Sequence, residues 1–452
     1  MVFDHLEQYG NQVALIAGDI VITYRQLLEL SEKYLQEIPK RSVVLFVCEN
    51  TISSIALYVG MMRKEIIPVM VSPNIKKEAF QNLVDLYYPN FIIYGKEEVQ
   101  FECLNKQKIP TDPRLALLLT TSGSTGSAKY VRLSYENVIS NTNSIVDYLH
   151  IQSSDRVITT LPMCHTYGLS LVQTHLCKGA SIVVYNDSVL NHSFRKEIEN
   201  NQVTTFGGVP FTYEMLYKAS FFKHLPESIK YMTQAGAKLS KELNTFIVRV
   251  CKEQHKKFIV MYGQTEATAR ISYVPWKDAE RKIGSIGVPI PNGYMELHDE
   301  MDKIILESYT QGEIIYKGAN IMLGYAEKQS DLKKGESMDG ILHTGDLAYK
   351  DEDGFYFITG RKSRYIKLYG VRTNLNDIEK QMEGHNITAF CTGSDNHINI
   401  YLVEKVNKEQ VINILKNSFN MRTRDFSIFY ISNVPRTESG KIDYTKLETY
   451  IV

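Results

Sequence analysis

The sequence predicts an α/β protein whose sheets are mainly parallel and covered by helices. Short apolar runs that are typical of buried strands alternate with helical patterns as far as Gly284, and such alternation is typical of parallel strands joined by crossover helices. The chain has 452 residues, of which 44% are hydrophobic and 23% charged. These are ordinary values for a globular protein with a substantial core. After Gly284 short strands and turn residues dominate, and after Gly360 the pattern predicts a small α+β unit.

The individual elements follow from the apolar runs. Residues 42–48 form a nearly continuous apolar run of strand length, and residues 51–63 carry a helical pattern. The other strands predicted in the first part of the chain are 66–71, 91–94, 156–160, 181–185, 204–206 and 258–261. In the last part we predict helices at 374–382 and 408–417 and a strand at 398–403.

Charge and targeting signals exclude several classes of protein. Lys and Arg number 51, as do Asp and Glu, so the formal net charge is zero. Because a nucleic-acid-binding protein of this size normally has a basic surplus, we expect no nucleic-acid partner. The N-terminus lacks the pattern of a signal peptide, and the apolar runs are far shorter than the roughly 18 residues of a membrane span. The six cysteines are scattered without a Cys-x-x-Cys pair, which predicts buried thiols in a cytoplasmic protein.

Residues 115–133 form the most informative segment. An apolar strand runs into a loop of Ser, Thr and Gly residues that ends at Lys129. Glycines let backbone N–H groups approach a phosphate, hydroxyls add neutral donors, and a lysine adds positive charge. The loop is not a Walker motif, because Lys129 lies between Ala128 and Tyr130. From composition alone, a polyphosphate site and a flexible turn between a strand and a helix both remain open.

Further motifs follow in order along the chain. They are Tyr-Gly-Gln-Thr-Glu at 262–266, His-Thr-Gly-Asp at 343–346, Asp-Glu-Asp-Gly at 351–354, Gly-Arg at 360–361, Ile-Lys at 366–367, Gly-Val-Arg at 370–372 and Pro-Arg-Thr-Glu-Ser-Gly-Lys at 435–441. Together with the loop at 115–133, this ordered set resembles the adenylate-forming superfamily of acyl-CoA synthetases, peptide-synthetase adenylation domains and beetle luciferases. The resemblance covers the whole chain.

The resemblance implies two domains. Residues 1–360 would form a large N-terminal domain that binds ATP and the acid, with two helix-covered sheets and a β-rich subdomain. Residues 361–452 would form a small, mobile α+β C-terminal domain that carries the catalytic lysine and rotates between two half-reactions. The family's hinge position is usually Asp or Lys and is Ser363 here, so the energetics of the rotation remain open.

The implied chemistry is attack of a carboxylate on the α-phosphorus of ATP, which gives an acyl-adenylate and pyrophosphate. Because both reactants are anionic, the enzyme must neutralise charge and align them. The residues assigned by resemblance to the β- and γ-phosphates are Thr121, Ser122, Gly123, Ser124, Thr125, Gly126 and Lys129. Those assigned to the nucleoside are Gly236, Ala237 and Tyr262 at the adenine and Asp346 and Arg361 at the ribose, with Gly263 as a further nucleotide-binding position. A plain core position remains the alternative for Tyr262.

The resemblance also assigns catalytic roles. Lys441 would bridge the carboxylate and the α-phosphate in the transition state, Thr265 would donate to the α-phosphate, and Glu266 would bind Mg²⁺. Lys367 and Gly370 would belong to the face that the C-terminal domain presents to the thiol, and Lys367 would also act in catalysis. Taken alone, Glu266 would be interpreted as an ordinary surface carboxylate.

The segment at 161–168 resembles the acyl- and aryl-CoA synthetase version of its region. By that resemblance, His165 would lie between the acyl pocket and the thiol tunnel and act in catalysis. The sequence from 161 to 172 contains no Asp, which disfavours an α-amino acid substrate. The candidate residues for the pocket wall are Tyr167, Phe206, Gly207, Gly208 and Val209. The Gly-Gly pair either leaves room for an aryl or medium acyl group or makes a tight backbone contact.

The predicted function is that of an AMP-forming acid–thiol ligase. We expect ATP, Mg²⁺, a small carboxylic acid and, as acceptor, CoA. The alternative is a stand-alone ligase that loads an acyl or aminoacyl group onto the phosphopantetheine of a carrier protein. The basic segment at 361–367 suits a CoA phosphate, an acidic carrier helix or solvent. A nucleotide-binding protein without catalysis is disfavoured, because such a protein has little use for Lys441.

Overall fold

The computed structural model describes residues 2–96, 98–120, 129–368, 371–394, 397–403, 406, 408–419, 421–437 and 441–451. Within these residues the chain forms eleven α-helices. In chain order from α1 to α11, the helices are Tyr24–Tyr34, Ile52–Arg63, Lys77–Tyr87, Tyr135–Leu149, Thr166–Cys177, His192–Asn200, Pro210–Lys218, Lys241–Glu253, Leu375–Glu383, Lys408–Phe419 and Tyr444–Glu448.

The strands of the described residues form five sheets. In chain order from β1 to β25, the strands are Val13–Ala17, Ile20–Thr23, Val43–Cys48, Ile67–Val71, Phe91–Gly95, Gln100–Cys103, Leu115–Thr120, Tyr130–Ser134, Arg156–Ile158, Ser181–Val183, Thr205–Gly208, Tyr231–Gln234, Lys257–Tyr262, Ser272–Tyr273, Val288–Pro289, Tyr294–His298, Gly312–Lys317, Gly324–Ala326, Ile341–Lys350, Tyr356–Arg361, Tyr365–Leu368, Val371–Asn374, Ala389–Ser394, His397–Leu402 and Phe426–Tyr430. The predicted elements agree with these bounds to within about two residues, the usual uncertainty of element ends.

The predicted phosphate loop belongs to a seven-stranded sheet with the order β18-β8-β7-β4-β3-β5-β6. The central strands β5, β3, β4 and β7 are parallel, as their apolar sequences predict. β7 and β8 are antiparallel, with Thr120 opposite Tyr130, so the loop joins two strands of one hairpin. The strand β8, and not a helix, therefore follows the loop. All five residues of β8 are buried, because both faces of the sheet are covered: Val131 and Leu133 belong to one buried cluster and Tyr130 to another.

The second large sheet has nine strands in the order β15-β14-β13-β12-β11-β9-β10-β1-β2. Its six central strands, from β13 to β1, are parallel. The neighbouring strands β11, β12 and β13 end at Gly208, Gln234 and Tyr262. Three predicted binding segments thus lie at the carboxyl ends of adjacent parallel strands, where ligands usually bind in such sheets.

Three buried clusters pack against the two large sheets. The largest contains residues from both sheets together with residues of helices α2, α4 and α5. Helix α2 is buried from Ser53 to Met62, as expected for an apolar helix enclosed on several sides. Successive residues of a strand point to opposite faces of its sheet. Ile259 belongs to this cluster and its neighbour Phe258 to the second one, so the second cluster covers the other face of the nine-stranded sheet. A third cluster covers the other face of the seven-stranded sheet.

The contacts within the chain divide it into two compact units. The first combines Met1–Met295 with Tyr316–Leu342, and the second combines Glu296–Ile315 with His343–Val452. Small sheets formed by β21-β22 and by β23-β24-β25 lie in the second unit with helices α9, α10 and α11. The domain boundary at 360/361 remains a prediction. None of the helices in the described part of the chain is both long and apolar enough to cross a membrane.

Candidate active site

The predicted site residues lie in both units, and each unit is described by itself. In the first unit the loop residues 121–126 lie outside the described residues, whereas both flanks are described. Thr120 ends β7, and Lys129 directly precedes β8. The Nζ atom of Lys129 lies 3.7 Å from the centroid of the Tyr325 ring, which is the geometry of a cation–π contact.

Tyr325 connects Lys129 to Glu266. It lies on β18 opposite Val131 of β8, and this pairing brings the ring beside the base of the loop. The Tyr325 hydroxyl donates a hydrogen bond of 3.0 Å to Oε1 of Glu266. Tyr325 was not among the predicted residues, because its partner is 59 positions away and no local pattern marks it.

A short turn at Thr265–Ala267 presents the two residues that were predicted to handle phosphate and metal. The Oγ1 atom of Thr265 lies 3.5 Å from the carbonyl oxygen of Thr120. The predicted phosphate segments of the two large sheets therefore meet at this point. The side chain of Thr265 is buried and that of Glu266 is half-buried, so Glu266 is not an ordinary exposed carboxylate.

Asn320 and Gly263 shape the backbone that follows this turn. The buried side-chain amide of Asn320 donates to the carbonyl oxygens of Ala267 at 2.8 Å and Arg270 at 3.0 Å. A Cβ atom at position 263 would lie 2.0 Å from the carbonyl oxygen of Ala269, so only glycine allows this close approach. Asn320 was also not predicted, because its role depends on a fold contact across 50 residues.

The segment predicted to contact adenine lies at the ends of β12 and β13. Gly236 has a φ of 98°, which favours glycine, and the side-chain amide of Gln234 donates to the carbonyl oxygen of Ala237 at 2.8 Å. Tyr262 ends the adjacent strand and is half-buried, which differs from the full burial of a plain core tyrosine.

His165 lies at the N-terminal end of helix α5, as its N-cap residue, and is half-buried. The preceding turn depends on Gly168, because a Cβ atom there would lie 2.2 Å from the carbonyl oxygen of Pro162. Asn50, which follows a strand of the other large sheet, accepts a hydrogen bond of 3.0 Å from the N–H of Met163. The packing of both sheets thus positions His165.

Tyr167 lies buried among the predicted pocket residues. Its hydroxyl donates to the carbonyl oxygen of Thr233 at 2.9 Å and lies 2.8 Å from the Thr233 hydroxyl. Burial raises the pKa of the Tyr167 hydroxyl, so it is protonated and neutral at physiological pH. A Cβ atom at Gly207 would lie 2.8 Å from the Tyr167 hydroxyl, so this glycine makes a tight contact, one of the two alternatives that the sequence left open.

Side-chain alternation along β11 separates the other predicted wall residues. The ring centroids of Phe206 and Tyr213 are 6.2 Å apart, and a Cβ atom at Gly208 would lie 2.8 Å from Tyr213. Both positions therefore face away from Tyr167. Phe206 and Gly208 pack on the side of β11 that holds Tyr213, and their place in the pocket wall remains a prediction. Val209 belongs to the same buried cluster as Tyr167.

In the second unit, Asp346 and Arg361 lie at opposed positions of the antiparallel strands β19 and β20. The Nε atom of Arg361 is 2.9 Å from Oδ1 of Asp346. The buried Glu313 supports this region, because its Oε1 accepts a hydrogen bond of 3.1 Å from the N–H of Gly345 and its other oxygen pairs with Lys362. The two residues assigned to the ribose therefore form one ion pair on a supported strand.

The basic segment at 361–367 is partly neutralised within its own unit. Two of its cations form the ion pairs just described, and Arg364 donates to Glu379 at 2.6 Å. The Arg364 guanidinium also lies 3.9 Å from the centroid of the Tyr444 ring. Burial raises the pKa of Glu379, and the charge of Arg364 lowers it. Since three cations of the segment have carboxylate partners inside the protein, less positive charge is available to an external phosphate.

Two hydrogen bonds link Lys441, the C-terminal lysine, to Thr437. The N–H of Thr437 donates to the carbonyl oxygen of Lys441 at 2.7 Å. The N–H of Lys441 donates in turn to the Thr437 hydroxyl oxygen at 3.2 Å. Residues 438–440 of this motif lie outside the described residues. Lys367 lies on β21, but its side chain and Gly370 fall outside the described part of the chain.

Comparison with known proteins identifies the family. A family model described as AMP-binding enzyme matches residues 95–326, just over half of the chain. The chain belongs to this family. The matched segment includes Lys129, Glu266 and Tyr325, so the contacts at the base of the phosphate loop lie wholly within it.

Curated relatives of this AMP-binding enzyme are CoA ligases by name. The chain is 29% identical over 287 residues to the long-chain-fatty-acid–CoA ligase of Bacillus subtilis, a match that covers 63% of this chain and 50% of the relative. It is 28% identical over 351 residues to the probable 4-coumarate–CoA ligase 1 of Dictyostelium discoideum, with 73% and 63% covered. The chain thus spans between half and two thirds of the length of these relatives.

Solved structures of two ligases are similar to this AMP-binding enzyme over nearly the whole chain. The o-succinylbenzoate CoA synthetase of Bacillus subtilis, in complex with its acyl-adenylate intermediate, has a TM-score of 0.79 and 20% identity, and the match covers 98% of this chain and 97% of that one. The ATP-bound MatB of Rhodopseudomonas palustris has a TM-score of 0.79 and 19% identity, with 99% and 98% covered. These similarities confirm the predicted α/β fold class.

The residues of the AMP-binding enzyme fit a magnesium ion at Glu266. Among the described residues, no group of three or more His, Cys, Asp and Glu side chains is arranged to enclose a metal ion. Mg²⁺ usually binds one or two carboxylates together with water and substrate phosphates, so it needs no such group. The half-buried carboxylate of Glu266 is held by Tyr325 beside the base of the loop.

Proposed function

We propose that the protein is an ATP-dependent acid–CoA ligase that works in two steps. In the first, a carboxylate oxygen of the acid attacks the α-phosphorus of ATP, the bond from this phosphorus to pyrophosphate breaks, and acyl-AMP forms. In the second, the sulfur of the CoA thiol attacks the acyl carbonyl carbon and loses its proton, and AMP leaves. The product is an acyl-CoA thioester.

The observation that carries this proposal is the arrangement around Tyr325. Lys129 contacts its ring and Glu266 accepts from its hydroxyl, while Thr265 lies at the end of the strand that leads into the loop. A cation, a hydroxyl donor and a carboxylate suited to Mg²⁺ are therefore close together, which supports the binding of a polyphosphate here. Bound Mg²⁺ would supply neutralisation of the phosphate charge at Glu266.

The remaining roles are assigned residue by residue. Asp346 accepts hydrogen bonds from the ribose hydroxyls, and Arg361, its ion-pair partner, orients that carboxylate and contacts the ribose. Lys441 donates to the carboxylate and the α-phosphate as negative charge builds up in the first step. His165 acts where acid and thiol meet, and Lys367 acts in the thiol step.

CoA is the proposed acceptor because the relatives bear the names of CoA ligases. The acids in those names are long-chain fatty acids, 4-coumarate and 2-succinylbenzoate, which differ in size and polarity. The relatives therefore support the reaction class, and the choice of acid depends on the pocket around Tyr167.

The test is pyrophosphate release with Mg-ATP across a panel of carboxylic and amino acids, with and without CoA. We expect CoA-dependent turnover on at least one acid, with formation of the acyl-CoA. The Lys441→Ala variant should lose about 100-fold or more of the rate, as expected for loss of a group that stabilises transition-state charge. The matched control is Lys446→Ala, which removes an exposed lysine of helix α11 and should keep wild-type turnover.

Two outcomes would contradict the proposal. Release that stops after about one equivalent, whether or not CoA is present, would indicate a carrier protein as the acceptor. ATP binding without pyrophosphate release on any acid would indicate a nucleotide-binding protein without catalysis.

A further inference from the structure

Arg270 is a buried cation beside the proposed acid pocket. Only 3% of the residue is exposed. Its guanidinium lies 4.1 Å from the centroid of the Tyr167 ring, so it stacks on the residue that the pocket prediction placed in the wall. The acceptors around its guanidinium are all neutral and include the carbonyl oxygen of Ala269 at 3.2 Å, the hydroxyl of Ser170 at 3.4 Å, the sulfur of Met261 at 3.4 Å and the hydroxyl of Tyr148.

These contacts are too weak to satisfy a buried guanidinium. Charge-assisted hydrogen bonds of arginine are usually about 2.7–2.9 Å long, and a thioether sulfur is a weak acceptor. Arg132 provides an internal comparison, because it is also buried, at 1% exposure. Its guanidinium donates to four carbonyl oxygens, including those of Leu323 and Gly335 at 3.0 Å. The fold thus saturates Arg132 and leaves donor capacity at Arg270.

Arg270 also lacks a counter-charge in the described part of the chain. The ion pairs formed by the described residues do not include it. The two nearest titratable hydroxyls, those of Tyr148 and Tyr167, have pKa values that burial raises, so both are neutral. A buried charge without an ionic partner is costly, and a binding site gains affinity when the ligand supplies the opposite charge.

The surroundings place the guanidinium beside the predicted pocket residue Tyr167. Tyr167 lies between Arg270 on its face and Gly207 beside its hydroxyl. Ser170, one turn further along α5, contacts the guanidinium from the same helix. The backbone of Arg270 itself is fixed by Asn320 and Asn141, which donate to its carbonyl oxygen at 3.0 and 2.9 Å. The cation is therefore rigidly positioned, as specificity for one anionic group requires.

We propose that Arg270 binds a second carboxylate of the substrate, so that the enzyme activates one end of a dicarboxylic acid and recognises the other. This inference rests on the proposed acid–CoA ligase function and names the substrate class of its pocket. A planar guanidinium with open donors matches a carboxylate in charge and geometry. The reacting carboxylate lies at the opposite end of the acid, where the phosphate-binding residues are.

The experiment compares acids that differ only in that second charge. Pyrophosphate release and CoA thioester formation are measured with aliphatic and aromatic dicarboxylic acids, with their monomethyl esters and with monocarboxylic acids of equal length. For the preferred diacid we expect kcat/KM to exceed that of its monomethyl ester by about 100-fold or more, because the ester leaves a buried cation unpaired. In Arg270→Met the preference should disappear, mainly through a higher KM for the diacid, with turnover of the monoesters retained.

Control variants separate recognition from folding. Arg156→Met removes a partly buried arginine of strand β9, which donates to the Ser181 hydroxyl at 2.8 Å, and should leave the acid preference unchanged. Thermal unfolding checks that each variant is folded. If Arg270→Met does not fold, Arg270→Lys keeps the charge with a shorter reach, and the preference should fall by about 10-fold without vanishing.

The outcomes distinguish this inference from the function on which it rests. Wild-type turnover of monocarboxylic acids that equals or exceeds that of every diacid would overturn the role of Arg270 and leave the ligase function standing. An acid preference that survives in Arg270→Met would do the same. The absence of pyrophosphate release with all acids, monocarboxylic acids included, would contradict the ligase function and this inference together.

Discussion

At the scale of single residues, Tyr325 combines contacts with two groups that are proposed to act on phosphate. Its ring contacts the Lys129 ammonium, and its hydroxyl donates to the Glu266 carboxylate. Both partners are proposed to act on ATP, one directly and one through Mg²⁺. A single tyrosine therefore orients groups of opposite charge, and the two contacts respond to different substitutions.

We expect Tyr325→Phe to lower kcat/KM for Mg-ATP by about 10-fold, because a hydrogen bond to a charged group contributes roughly 1.5–3 kcal/mol. The ring and its contact with Lys129 are kept, so the fold should be unaffected. Initial rates at varied ATP and Mg²⁺ concentrations measure the effect, and the requirement for Mg²⁺ should rise.

Tyr294→Phe is the matched control, since Tyr294 is 68% exposed and should tolerate the change. A double-mutant cycle of Tyr325→Phe with Glu266→Gln should show coupling of about 1 kcal/mol. Full additivity of the two changes would show that the hydroxyl does not act through the carboxylate.

At the scale of elements, helix α5 is buried along nearly its whole length, from Tyr167 to Leu176. This burial includes His175, which is 1% exposed and whose Nδ1 lies 2.9 Å from the carbonyl oxygen of Leu171. Burial lowers the pKa of His175 to about 4, although the hydrogen bond with Leu171 and the charge of Asp155 both act to raise it. The helix that presents His165 and Tyr167 therefore contains a neutral histidine in its interior.

The free energy of unfolding should consequently depend on pH through His175. Between about pH 4 and about pH 6.5, the ordinary pKa of histidine, the unfolded chain binds a proton at His175 that the folded chain does not bind. Stability is therefore fully present above pH 6.5 and falls as the pH is lowered towards 4, by up to about 3 kcal/mol. His175→Leu should flatten this part of the profile, as measured by urea unfolding at pH 4.5–7.5.

The exposed His192 provides the comparison for that measurement. His192→Gln should have the pH profile of the wild type. If His175→Leu and the wild type give parallel profiles, the acid-sensitive step in unfolding involves other groups.

At the scale of the whole molecule, the proposed chemistry is divided between the two units. The first holds the residues proposed to bind phosphate and the acid, and the second holds Asp346, Arg361 and Lys441. Lys441 acts only in the first half-reaction of the proposal, because no α-phosphate is attacked in the second. The two half-reactions can therefore be separated by one substitution.

We expect Lys441→Ala to form the CoA thioester from synthetic acyl-AMP at close to the wild-type rate, although it no longer makes acyl-AMP from ATP. The thioester yield in single-turnover reactions measures this difference. Lys446→Ala should perform both half-reactions normally. Equal loss of both half-reactions in Lys441→Ala would indicate that the lysine supports the structure of the unit instead of the first step.

The sequence by itself determined the fold class and indicated most of the candidate site residues, because those features depend on local patterns. Apolar runs of strand length predicted β3, β4 and β13, and ordered motifs located Lys129, Glu266, Asp346 and Lys441. Such signals can be read along the chain, since each arises from neighbouring residues.

Only the tertiary structure decided which residues meet across long separations. Strand pairing at β8 and β18 brought Tyr325 to Glu266, and side-chain alternation along β11 turned Gly207 towards Tyr167 and Phe206 away from it. Arg270 is buried with no carboxylate partner among the described residues, and this is likewise a property of packing, because it depends on what the fold places around one side chain. Local sequence carries no record of such contacts, since strand register and the packing of sheets on helices are set by the folded chain as a whole.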